Sequence, residues 1–173
     1  YKDFGTPLYV YSKSALLDAF NVYRTILQDT PHLVCYALKA NANLAIIELL
    51  AQAGAGFDIV SGGELARVLA AGGNPHKVIY SGVGKTVKEI AFALEQEIHC
   101  FNVESIPELD RIQSVAASMD KVAPISVRIN PNVDAKTHPY ISTGLKNNKF
   151  GVAYEDSIEL YKKAQARLDK ILG

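Results

Sequence analysis

Two kinds of hydrophobic pattern alternate along this chain. Short apolar runs bounded by turn residues are followed by longer stretches in which apolar residues recur at helical spacing. Residues 33–38, 57–60, 77–80, 98–102 and 123–129 read as strands, beginning at Leu33, Phe57, Lys77, Ile98 and Ala123. Between them, Leu44 opens a helical pattern that Gly54 stops, and Ile106, Leu109, Ile112 and Val115 mark one face of another helix. Ser61 with Glu64, Thr86 with Glu89 and Ser105 with Glu108 have capping-box spacing. Pro107 falls in a first turn, where its missing amide donor costs little. Upstream, residues 7–11 read as a short strand, and Ser12 or Ser14 can cap a helix with Leu16, Phe20, Tyr23 and Leu27 on one face. A last helix runs from about Glu155 to Leu172.

Strand and helix in alternation predict parallel strands joined by crossover helices, an α/β fold. The choice lies between a closed barrel and an open doubly wound sheet. Polar residues at successive strand ends favour the barrel: Lys39, Asp58, Ser81, Asn102 with Glu104, and Arg128. In a (β/α) TIM-like barrel those ends form one ring, whereas an open sheet places its ligand at a single switch point. Only about five of the eight strands of such a barrel are visible, so the barrel reads as incomplete. Residues 130–151 form a long polar segment, and loops of that length are more often functional than idle.

Composition narrows the partners. The 173 residues are 49% hydrophobic and 21% charged, which suits one globular unit. Eighteen basic residues balance eighteen acidic ones, so no charge footprint for nucleic acid or an anionic membrane is visible. A small molecule or a protein is the expected partner. Cys35 and Cys100 lie in apolar runs and read as inert core thiols; no Cys/His spacing suggests a metal site, and a reducing cytoplasm fits. No apolar run approaches the length that spans a bilayer. The chain begins on Tyr1 and reads as a piece of something longer.

Lys39 stands where an apolar strand meets two asparagines, Asn41 and Asn43. An apolar floor there would disfavour the ammonium form and prepare the amine to attack a carbonyl and hold a Schiff base. A solvated loop lysine is the plainer alternative. Asp58 ends an apolar strand and should have a partner, with Lys39 or Arg128 available across the ring. It reads equally as a ligand group or as half of a structural ion pair. Arg128, flanked by Val127 and Ile129, should contact an anion, a planar ring or a buried carboxylate. Glu64 is most simply a capping glutamate, His99 a strand residue, and His138 a loop residue within reach of a ligand. The segment from Ser81 to Thr86 has the Gly-Lys-Thr ending of a phosphate-binding loop, but Ile79 stands where that motif needs glycine, and the match fails.

Tyr36-Ala37-Leu38-Lys39-Ala40-Asn41, the stretch from Gly56 to Glu64, Arg128-Ile129-Asn130-Pro131, and the stretch from Lys136 to Gly144 occur in order. With these motifs the chain resembles the pyridoxal-phosphate decarboxylases built on an alanine-racemase-like barrel. The lysine segment is shared with ornithine and arginine decarboxylases. The His-Pro-Tyr loop ending in Asn148-Lys149-Phe150-Gly151 is similar to the diaminopimelate decarboxylase branch.

The resemblance implies pyridoxal 5'-phosphate as cofactor, with Lys39 carrying it and Ala37, Asp58 and Arg128 lining its pocket. It places His138, Tyr140, Ser142 and Thr143 in a loop on the substrate side. The implied reaction is decarboxylation of meso-diaminopimelate to L-lysine, the last step of lysine biosynthesis, in a cytoplasmic homodimer. On this likeness residues 1–173 are the N-terminal portion of the barrel domain. A C-terminal β domain and other residues that complete the family's site lie beyond them. A piece of this kind would expose strand edges and an apolar inner face. Two other readings stay open: a decarboxylase of ornithine or arginine on the same fold, and a non-catalytic barrel that carries pyridoxal phosphate.

Overall fold

A computed structural model describes residues 2–131 and 150–172, with side chains through residue 166. Its centre is a parallel sheet of β1 (Cys35–Ala37), β2 (Gly56–Ile59), β3 (Val78–Tyr80), β4 (Cys100–Val103) and β5 (Ile125–Val127). The strands lie side by side in sequence order, each parallel to the next. A doubly wound sheet would reverse that order part-way, so the arrangement is a stretch of barrel wall, not closed upon itself. The chain then bends at Arg128 into β6 (Ile129–Asn130), which pairs in parallel with β7 (Val152–Ala153).

Helices α2 (Leu44–Gln52), α3 (Gly62–Ala70), α4 (Val87–Glu95) and α5 (Ile106–Ser118) connect successive strands. Two further helices, α1 (Lys13–Ile26) and α6 (Tyr154–Leu172), flank the sheet in sequence. The sheet's two faces differ. Phe57, Ile59, Val78, Tyr80, Phe101 and Val103 are fully buried and pack with Ile47, Leu65, Val68, Ile90 and Ile112 of the helices. Each such side chain contributes about 1.5–3 kcal/mol by leaving water. The alternate residues Asp58, Ile79, Cys100 and Asn102 are only half-buried and face the inside of the curved wall. That inner face is polar and apolar together rather than the apolar surface anticipated, because its upper rows carry the ring of site residues.

Residues 7–11 form no strand. A strand exists through its ladder, and no described segment pairs with this one; Tyr9 and Val10 are 84% and 82% exposed. Of the apolar face expected on α1, Phe20 is buried while Tyr23 and Leu27 stay exposed, and Ser12 is the cap. His99 precedes β4 and is exposed. Thr86 and Glu89 make a full capping box. Ser61 and Ser105 accept from the amides of Glu64 and Glu108, but these glutamates bond the amides of Val60 and Glu104, one residue ahead of each cap. No described helix is long and apolar enough to cross a membrane.

Candidate active site

Five consecutive strand ends build one cavity of about 410 Å³, lined by Lys39, Asp58, Ser81, Asn102, Ser126 and Arg128 together with Val60, Gly82 and Phe150. Register explains the convergence. Asp58 stands beside Ala37 and Asn102 beside Ser126, so residues at the C-terminal edge share one rim. The ring anticipated from sequence is thus assembled, except that Glu104 lies behind it and Ala37, though level with Asp58 and half-buried in β1, is not among the residues lining the cavity. His138, Tyr140, Ser142 and Thr143 lie outside the described residues. Ser126 and Phe150 were missed. Ser126 was detectable, since it shares Arg128's side of the chain two residues earlier; nothing local marks Phe150.

Lys39 sits in a short 3-10 turn, Leu38–Ala40, directly after β1. Leu38 beneath it is fully buried, yet Lys39 itself is exposed, so the desolvation expected for its amine is not provided by the described residues. Its ammonium makes no hydrogen bond or ion pair with them. Tyr36 braces the turn, its hydroxyl donating to the Asn41 carbonyl at 3.0 Å, and Asn43 caps α2 through the Ala45 amide.

Asp58 has neither of the cationic partners expected for it. Asn102 Nδ2 donates to Ser81 Oγ at 2.9 Å, and Ser81 Oγ donates to Asp58 Oδ1 at 2.5 Å. The order of donors commits the hydroxyl proton of Ser81 to the carboxylate, which can only accept. Arg128 meets two of its expected contacts. Its Nη1 lies 3.1 Å from Glu104 Oε1, a carboxylate 2% exposed, and its guanidinium lies 4.8 Å from the Phe150 ring centroid. Burial pushes the Cys35 thiol up to about 11, with Asp58 and Cys100 adding smaller contributions, and burial raises Cys100 likewise. Both cysteines are free and half-buried on the inner face of the wall rather than in the core expected for them, and a raised pKa leaves little of the thiolate that reacts.

The Gly-Lys-Thr ending of residues 81–86 belongs to no phosphate loop. Lys85 is buried, bonded to Glu108 Oε1 and the Asn102 carbonyl at 2.9 Å each and to the Gly82 carbonyl at 2.7 Å, above the Tyr80 ring. With its three donors engaged it cannot also serve a phosphate.

The family model described as "Pyridoxal-dependent decarboxylase, pyridoxal binding domain" matches residues 14–173. The chain belongs to this family. Diaminopimelate decarboxylase of Neisseria meningitidis serogroup B is 64% identical over 171 residues, 98% of this chain and 41% of that protein. The Pseudomonas aeruginosa diaminopimelate decarboxylase is 57% identical over 97% of this chain and 40% of its own length. A crystal structure of diaminopimelate decarboxylase from Helicobacter pylori, complexed with L-lysine, has a TM-score of 0.92 at 48% identity, covering 95% of this chain and 42% of that one. The chain therefore spans about two fifths of the length of the curated relatives it matches. Membership in a pyridoxal-binding family makes pyridoxal phosphate the cofactor, and the cavity suits it: a lysine amine with no partner among the described residues borders hydrogen-bonding groups of both charges.

Proposed function

We propose that this chain supplies the cofactor-binding wall of a pyridoxal-phosphate-dependent decarboxylase that acts on meso-diaminopimelate and releases carbon dioxide and L-lysine. The observation that carries this reading is the exposed Lys39 amine on the wall of a cavity built from five consecutive strand ends, in a chain of the pyridoxal-binding family. When bound, the cofactor supplies an electron sink for the carbanion left by loss of carbon dioxide. The residues of this chain do the rest by placement. Lys39 would hold the cofactor, its amine being the nucleophile that the cavity wall offers to a carbonyl carbon. Asp58, with one oxygen committed to Ser81, keeps the other for a protonated nitrogen of the ligand. Arg128 presents positive charge to an anionic or phenolic oxygen. Ser81 and Asn102 fix the orientation of Asp58.

Support for the substrate comes from the names of the relatives at 57% and 64% identity. The reading includes a homodimer acting in the cytoplasm, as the family resemblance implies; sedimentation of the full-length protein measures the first. The test of function is borohydride reduction with pyridoxal phosphate followed by peptide mass mapping, then assay of carbon dioxide release. An adduct on Lys39 that Lys39→Ala lacks, with turnover of meso-diaminopimelate over ornithine and arginine, is the expected result. Preferential turnover of ornithine or arginine would move the substrate assignment, and an adduct without turnover of any of the three would leave a cofactor carrier.

A further inference from the structure

Glu104 lies behind the cavity wall and is not one of the residues that line it. It follows β4 and is 3% exposed, a buried carboxylate that must be matched by donors. Four hydrogen bonds from described residues match it. Arg128 Nη1 donates to Oε1 at 3.1 Å and to Oε2 at 3.5 Å, the Gly82 amide to Oε1 at 3.3 Å, and the Gly151 amide to Oε2 at 3.1 Å. Those donors come from the loop after β3, the end of β5 and the residue before β7. Gly82 and Arg128 line the cavity, and so does Phe150, the neighbour of Gly151. One side chain thus ties together three parts of the wall that are far apart in sequence.

The tie is itself held. The Glu104 amide donates to Glu108 Oε2 at 2.6 Å, while Glu108 Oε1 takes the buried ammonium of Lys85. At the far end the backbone must pass close to Arg128. A Cβ on Gly151 would lie 2.7 Å from the Arg128 carbonyl oxygen, and the glycine has a φ of +74°. The Arg128 side chain is meanwhile 39% exposed. Among described residues its guanidinium bonds Glu104 through Nη1 alone and lies over the Phe150 ring, at the wall of the cavity. A purely structural ion pair has no need of that half-open geometry.

We infer that Glu104 is a positioning residue: through Arg128 and the backbone of residues 150–151 it sets the place of the guanidinium and of Phe150 in the wall of the cofactor cavity. This rests on the cofactor reading proposed above. The experiment uses full-length protein and pyridoxal phosphate, following affinity and the absorbance maximum of the bound cofactor in Glu104→Gln, Arg128→Lys and the double variant. Glu104→Gln should weaken cofactor binding about tenfold and shift the absorbance, while the double variant should be no weaker than Arg128→Lys alone, since coupled residues are not additive. Glu104→Asp, which keeps the charge, should restore part of the loss and carries the same cycle if Glu104→Gln does not fold. Unchanged affinity and spectrum, or losses that multiply in the double variant, overturn the inference. Wild-type protein that gives no adduct on Lys39 overturns the cofactor reading and this inference with it. An adduct on Lys39 together with multiplying losses removes the inference alone.

Discussion

Lys39 and Lys85 occupy the same kind of place, each in the connection between a parallel strand and the helix that follows, and they are opposites. Lys39 is exposed on the cavity rim with no described protein partner. Lys85 is sealed inside, its ammonium shared among two carbonyls and the carboxylate of Glu108. A lysine whose donors are all consumed is part of the scaffold; one left with its donors unspent is available to a ligand. The difference comes from neighbours, not from the local motif, since the segment around Lys85 looks more like a ligand-binding loop than the one around Lys39 does.

The largest test of that contrast is Lys39→Ala. It should abolish the borohydride-trapped cofactor adduct entirely while changing folding stability by no more than about 0.5 kcal/mol, as expected for an exposed site. Mass mapping and urea unfolding of the same preparation measure both. If stability fell by several kcal/mol, Lys39 would be a scaffold lysine too.

Lys85→Met should behave in the reverse way. It strands the Glu108 carboxylate in the interior, which costs about 3–5 kcal/mol. Replacing Glu108 as well, by leucine, should recover much of the loss, although Glu108 also accepts from the Glu104 amide and recovery should be incomplete. The folded fraction of Lys85→Met should still give the adduct on Lys39. Loss of the adduct in a well-folded variant would break the division between scaffold and site.

Thr86→Ala probes the scaffold side more gently. Thr86 caps α4 through the Glu89 amide, and its removal should cost about 1 kcal/mol in denaturant melts with cofactor binding unchanged.

On the cavity side, Cys35 gives the smallest signal, a slope with pH. Its folded thiol holds its proton to about 11, against an ordinary value of 9.0. Above pH 9 the unfolded chain has lost a proton that the folded chain keeps. The contribution is therefore fully present below about pH 9 and lost as pH rises toward 11. Cys35→Ala should flatten that alkaline limb in urea melts across pH 8–11, and an unaltered limb would show that the thiol is not desolvated.

Much of this was legible in the chain. Strand order, the crossover helices and the membership of Lys39, Asp58, Ser81, Asn102 and Arg128 in one rim followed from periodicity, because residues at the end of each parallel strand must meet at the same edge. The Thr86 box was legible for the same local reason, cap and glutamate being three residues apart. Residues 7–11 form no strand because a short apolar, aromatic run shows that a segment can pair without naming a partner. Asp58 was assigned an ionic partner and has a hydroxyl instead, and Glu108 was assigned to a local cap while its carboxylate serves Lys85 and the Glu104 amide.

What the sequence determined by itself was everything set within a few residues: where strands end, which residue caps a helix, which polar side chains arrive at the rim. Only the tertiary structure decided which charges meet. Lys85 and Glu108, Glu104 and Arg128, and Asp58 and Ser81 are each separated by at least a full strand-and-helix unit. Burial, moreover, belongs to the assembled wall and not to any one segment. A lysine becomes scaffold or site according to which carbonyls and carboxylates surround it once the wall has formed, and local spacing carries no information about them.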